Sequence, residues 1–117
     1  MNYNEIFRKR TKVLAILIIK ELSGLKYSDE LTIIRKQIIR SATSVAANYR
    51  AVGRARSNKE RFAKMCIVVE EADETLFLLE IIEELAYLPD KKIKLLMEET
   101  TEIVKVMSIY RKTLSNH

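Results

Sequence analysis

The sequence predicts an all-α protein, an antiparallel up-down-up-down four-helix bundle. Three observations carry that prediction. The 117 residues include only two glycines and one proline, too few for the many turns of a sheet protein. Apolar residues recur every three or four positions along four long stretches. The breaks between those stretches are short, and short connections between long helices make antiparallel neighbours. The length fits a single domain over residues 1–117, large enough for a core without disulfide staples. With 48% apolar and 32% charged residues, the composition is that of a globular chain, not a disordered one.

The first helix is expected over residues 4–22. Ile6, Val13 and Leu17 fall on one side of it at helical spacing. Gly24 then stands at the position where a left-handed residue ends many helices. Ser28 offers an N-cap for the second helix, with Asp29 and Glu30 in its favourable first turn. That helix carries Leu31, Ile34, Ile38, Ala42, Val45, Tyr49 and Val52 on one side, the seam of a bundle helix. Gly53 weakens its end. Ser57-Asn58-Lys59-Glu60 reads as a capping box, the Ser57 hydroxyl accepting one free N–H and Glu60 reaching back for another. The third helix follows with Phe62, Met65, Val69, Ala72, Leu76 and Leu79, and is expected to end near Tyr87. Leu88-Pro89-Asp90 is the sharpest break in the chain. The fourth helix carries Ile93, Leu96, Thr100, Ile103, Met107, Tyr110 and Leu114, and Ser115-Asn116-His117 is expected to fray.

The helix faces add detail. Beside the seam of the second helix lie Gln37, Ser41, Ser44 and Asn48; opposite it lie Lys36, Arg40, Arg50 and Arg54, with Thr43 and Ala47 between them. Small residues let another backbone approach closely, which fits either a tight contact within the chain or a contact with another subunit. The third helix is apolar almost all round, adding Ile67, Val68, Leu78, Ile81 and Ile82 to its seam. A helix apolar on every side is normally buried on every side. The leftover surface therefore predicts self-association, scattered surface hydrophobes being the plain alternative. Glu70, Asp73, Phe77, Glu80 and Glu84 form one stripe along this helix, with Glu71 and Glu74 to one side. Carboxylates this dense call for cations, and Arg40, Arg50, Arg54 and Arg61 are candidates. Arg40, Arg50, Glu71, Asp73 and Glu74 are assigned to structural ion pairs within or between subunits. For Glu80 and Glu84 a solvated acidic face is an equal alternative.

Catalytic constellations are absent, so the chain reads as a non-enzyme with no cofactor. Its one histidine, His117, is the last residue, which argues against a His-based triad, general acid–base pair or metal site. No glutamate has a histidine three residues on, as di-iron bundles require. Cys66 sits among Met65, Ile67 and Val68 and reads as a buried, inert thiol. The two glycines are too far apart for a phosphate loop. A lone cysteine fits a reducing cytoplasm. Arg8, Lys9, Arg10 and Lys12 ahead of the apolar run at residues 13–19 imitate a signal peptide. Lys20 and Glu21 follow where a cleavage site should approach, and the run is too short to span a membrane.

Charge is unevenly spread. Residues 50–64 hold Arg50, Arg54, Arg56, Lys59, Arg61 and Lys64 against Glu60 alone, matching the +5 of the whole chain. Residues 65–90 hold eight acids and no Lys or Arg. The basic cluster is the best functional candidate, with Arg54, Arg56, Lys59 and Lys64 assigned to phosphate contact. The nearby aromatics, Tyr49 and Phe62, occupy seam positions. Contact would therefore be to the nucleic-acid backbone and independent of base sequence. The alternative is a solvated basic turn that neutralises the acids of the third helix.

The run SVAANYRA at 44–51, RARS at 54–57 and EEADET at 70–75 together resemble a family of small bacterial four-helix bundle proteins. That family includes the proteins encoded in intervening sequences of 23S ribosomal RNA genes. It also includes the accessory variability protein of diversity-generating retroelements. The resemblance is strongest over residues 38–84 and extends over the whole chain, although a tryptophan common in such relatives near Leu78 and Leu79 is missing. It implies a five-subunit ring of bundles, a homo-oligomer without a membrane role. It implies a positively charged surface for nucleic acid, RNA or an RNA–DNA hybrid, and a role near ribosomal RNA. In a retroelement setting it implies a reverse transcriptase as partner, which gene context would decide. The alternative from another class is a protein-interaction scaffold that binds no nucleic acid.

Overall fold

The structure, a computed structural model, describes residues 3–115. Four helices follow one another: α1 (Tyr3–Ser23), α2 (Asp29–Val52), α3 (Asn58–Glu84) and α4 (Asp90–Ser115). Among the described residues there is no strand. The bundle is a flattened rod of 46 × 26 × 19 Å. Successive helices pack antiparallel, α1 on α2, α2 on α3, α3 on α4, and α4 closes back on α1 more sparingly. One core is shared by all four helices, with Ile18, Ile38, Met65, Ile82, Ile103 and Met107 fully enclosed.

The caps of α2 and α3 are local chemistry. Ser28 accepts a hydrogen bond from the Leu31 N–H at 3.1 Å, and Ser57 accepts one from the Glu60 N–H at the same distance. Each satisfies a donor that the first helical turn leaves free. The reciprocal half of the box at Ser57 is replaced: the Glu60 carboxylate turns outward to Arg56 at 3.7 Å. The α2 seam runs as the spacing predicts, with Leu31, Ile38, Ala42, Val45, Tyr49 and Val52 buried and Ile34 half-buried.

In α1 the structure corrects the sequence reading. The inward stripe is Phe7, Thr11, Leu14, Ile18 and Leu22. Val13 and Leu17 are each 42% exposed, and Ile6 is only partly covered. Residues 13–19 are apolar throughout, so two stripes compete, and Thr11 disguises the inward one. Its hydroxyl donates to the Phe7 carbonyl at 2.7 Å, so it enters the core without a lost hydrogen bond.

The all-round apolar character of α3 leaves little uncovered surface, so it does not by itself carry the self-association expected from it. The helix lies between α2 and α4, and both cover it. Val68, Leu78 and Ile82 are buried, and Ile81 is half-buried against the core. Only Ile67 at 39% and Phe77 at 56% remain notably exposed among its large apolar residues. Cys66 is half-buried, not enclosed.

Helix ends also differ from expectation. Gly24 does not adopt the left-handed conformation; the one positive φ among the described residues belongs to Ala86, at 57°. Ala86 ends α3 at Glu84, three residues before Tyr87. The Tyr87 N–H reaches the Ile82 carbonyl at 3.2 Å, and the Ala86 N–H reaches Glu83 at 3.0 Å. That pair of bonds is a Schellman cap, usually built on glycine. Of the expected frayed end, Ser115 closes α4, while Asn116 and His117, including the one histidine, lie outside the described residues.

Candidate nucleic-acid interface

The α2–α3 turn is shaped by backbone bonds, not by special residues. The Arg54 N–H donates to the Ala51 carbonyl at 3.0 Å, and the Ala55 N–H to Val52 at 3.2 Å. Gly53 caps α2 with ordinary helical angles. Buried Val52 and half-buried Ala55 hold the turn down. Arg61 folds back over it, donating to Asn58 Oδ1 at 2.9 Å and to the Ala55 carbonyl at 3.4 Å.

That scaffold pushes the remaining cations outward. Arg54, Arg56 and Lys59 are exposed, and Lys64 is half-buried one helical turn further on. Among the described residues Arg56 has only its long ion pair to Glu60, and Arg54, Lys59 and Lys64 make none. Arg61 serves the turn's own structure and is less free to bind.

The residues assigned to structural pairs divide. Arg40 meets Glu71 at 3.1 Å and also Glu74, bridging α2 to α3. Beside it the Ser41 and Thr75 hydroxyls exchange a buried hydrogen bond of 2.8 Å. At Ser41 the small-residue stripe is therefore a contact within the chain, while Thr43 and Ala47 face outward. Arg50 and Asp73 are exposed and make no ion pair among the described residues. Arg50 instead lines a groove between α1 and α2, and Asp73 lies on the outward stripe of α3.

A second charged constellation escaped the sequence reading. Arg10 donates through Nε to Glu99 at 2.9 Å and through Nη1 to Glu102 at 3.2 Å, and its guanidinium lies 4.6 Å over the Phe7 ring. The hydrogen bond to Glu99, then that to Glu102, outweighs partial burial and holds the guanidinium more firmly protonated than usual. With Lys92–Glu21 at 3.2 Å, this clamp ties α1 to α4. Nothing at local spacing announces it, because the partners are joined only by topology.

Topology also enlarges the basic region. Tyr49 donates to Asn4 Oδ1 at 3.0 Å, so the start of α1 lies beside the end of α2. The end of α4 lies there too, because the bundle alternates direction. Arg8, Lys9, Arg111 and Lys112 therefore join the α2–α3 turn at one end of the rod. The opposite end mixes Asp29, Glu30, Glu84 and Asp90 with Lys26, Lys91 and Lys92. Among the described residues no group of His, Cys, Asp or Glu is arranged to hold a metal ion. No helix among the described residues is long and apolar enough to cross a membrane.

Residues 4–108 match the model of the family described as 23S rRNA-intervening sequence protein. The chain belongs to that family. Its fold is also that of a crystal structure, at 1.70 Å, of a protein of unknown function from the S23 ribosomal protein family of Bacteroides thetaiotaomicron. The two share 27% identity over 93% of this chain and 97% of the other, with a TM-score of 0.82. No curated protein matches the chain. The 23S rRNA-intervening sequence family description names a genetic location, not a reaction, and the Bacteroides protein is likewise without an assigned activity.

Proposed function

We propose that this 23S rRNA-intervening sequence protein is a non-enzymatic, homo-oligomeric bundle, a pentameric ring, that binds nucleic acid weakly and without sequence preference. The carrying observation is the exposed, largely unpaired set Arg54, Arg56 and Lys59 at the α2–α3 turn, backed by Arg111 and Lys112 on the same end. Each cation alone is a weak phosphate contact. A ring repeats the set, and linked weak sites raise overall binding by orders of magnitude. The family's link to 23S rRNA genes favours RNA, or an RNA–DNA hybrid, over duplex DNA. In a retroelement setting the same surface would serve as accessory to a reverse transcriptase. The reading places the protein in the cytoplasm, where such partners are.

The test is RNA retardation across a salt series. Binding through phosphates falls linearly with salt on logarithmic axes. Arg54→Glu with Arg56→Glu should abolish retardation while leaving the circular dichroism melt in place. A wild-type protein that never retards RNA, even at the lowest salt, leaves the scaffold reading. One observation favours that second reading: Val13 and Leu17 of α1 and Leu95 and Ile109 of α4 are exposed aliphatics on the two sides of the α1–α4 seam, and such residues suit a protein partner. Light scattering tests the oligomer, and a monomer at micromolar concentration would overturn the ring.

A further inference from the structure

The groove between α1 and α2 and the outward stripe of α3 complement one another in charge, length and relief. We propose that they are the two halves of a head-to-tail contact between copies of this chain. The proposal rests on the self-association reading above and specifies which surfaces meet.

The groove has a volume of about 680 Å³. Its floor is low and apolar: Ala15 and Ile19 from α1, Ala46 and Ala47 from α2. Its rim is basic, carrying Arg8, Lys9, Lys12 and Arg50 against a single acid, Glu5. All four cations are exposed, and none makes an ion pair among the described residues. The stripe on α3 is the reverse. Glu70, Asp73, Glu80 and Glu84 are exposed and make no ion pair among the described residues, and Phe77 projects between them, 56% exposed. The groove runs along α1 from Glu5 to Ile19 and the stripe from Glu70 to Glu84, each covering about 21 Å of helix.

A sugar–phosphate strand would gain from the rim but nothing from an alanine and isoleucine floor. An aromatic ring flanked by carboxylates uses both. Phe77 supplies the apolar insert, and the acids on either side supply counter-charges for Arg8, Lys12 and Arg50. Buried aromatic anchors ringed by complementary charge are the usual centre of a specific protein contact. The two surfaces lie on different faces of one bundle, so a chain cannot satisfy itself. A contact between unlike patches propagates from copy to copy and either closes into a ring or runs on as a filament. The same contact removes Arg8, Lys12 and Arg50 from the nucleic-acid surface and leaves the α2–α3 turn open.

The test uses the full chain and light scattering. Arg8→Glu with Lys12→Glu turns the rim net negative, and Asp73→Lys with Glu80→Lys reverses the two charges that flank Phe77. Each double variant should weaken self-association by about tenfold or more, and the chain carrying all four changes should regain part of it, because opposite charges again face one another at the exchanged positions. Phe77→Ala should weaken assembly without altering the rim. Circular dichroism melts confirm that every variant folds; these are exposed positions. Assembly that is unchanged in both double variants, or not even partly regained in the fourfold variant, overturns this contact while leaving self-association intact. A rim variant that keeps its mass but no longer retards RNA assigns the groove to nucleic acid and overturns it too. A monomeric wild type removes both this contact and the reading beneath it.

Discussion

The α2–α3 seam and the α1–α4 seam join neighbouring helices by opposite means. Between α2 and α3 the side chains are small. Ser41, Ala42 and Ala72 are buried there, Thr75 meets Ser41 through its hydroxyl, and Arg40 bridges the rim to Glu71 and Glu74. Between α1 and α4 the helices touch more sparingly, and long side chains span the gap: Arg10 to Glu99 and Glu102, Lys92 to Glu21. The first seam is sealed by close approach, the second by reach. Reach leaves aliphatic residues uncovered alongside it, which is why Val13, Leu17, Leu95 and Ile109 stay exposed while the greasier α3 is mostly hidden.

This contrast can be broken by mutation. The largest effect is expected in the shared core: Ile38→Ala should cost about 2–5 kcal/mol, seen as a lower denaturant midpoint, because a fully enclosed side chain leaves a cavity. Leu17→Ala, on the outside of the α1–α4 seam, should cost far less. If the two costs are equal, the seams do not differ as described. Next, Ser41→Leu should wedge α2 from α3 and cost about 1–3 kcal/mol by overpacking.

The ion pairs sharpen the comparison. Arg10→Ala should cost about 1 kcal/mol, since the guanidinium is partly sheltered, hydrogen-bonded to two carboxylates and stacked on Phe7. Arg40→Ala, on a more exposed guanidinium, should cost no more than about 0.5 kcal/mol, and that loss should fade with salt. Chemical denaturation at low and high salt separates them. At the end of α3, Ala86→Gly should gain up to about 1 kcal/mol by removing a left-handed alanine, a gain partly offset by glycine's freedom in the unfolded chain.

The smallest effect concerns pH. Tyr27 donates to Asp29 at 2.7 Å, and that bond holds its phenol above the ordinary tyrosine value. The folded chain therefore favours the protonated phenol. Its contribution is full below the usual phenol pKa of about 10 and is lost as pH rises through the higher folded value. Tyr27→Phe should flatten the alkaline limb of the stability curve slightly, and a phenolate absorbance titration should lose one step above the ordinary tyrosine value.

Much of this was readable in the chain because it is local. Ser28 and Ser57 announce their caps within three residues, and the α2 seam has a single apolar stripe to choose. The α1 stripe was misread because residues 13–19 offer two, and only α2 and α4 decide between them. Gly24 looked like a left-handed terminator, yet tertiary packing gives that conformation to Ala86. Arg54, Arg56 and Lys59 could be found by charge density alone. Arg8 and Arg111 join them through chain direction, and Arg10 finds Glu99 across 89 positions; no local window contains either fact.

Alternating direction has a practical outcome. Tyr3 and Ser115 emerge at the same end of the rod as Arg54 and Arg56. A tag fused beside Tyr3 or Ser115 would lie at that positive end and compete with the nucleic acid proposed to bind it. The loop at Gly24, where an added methyl would meet nothing within 4 Å, sits some 40 Å away by the length of α3, and is the place to attach a label that leaves that end clear.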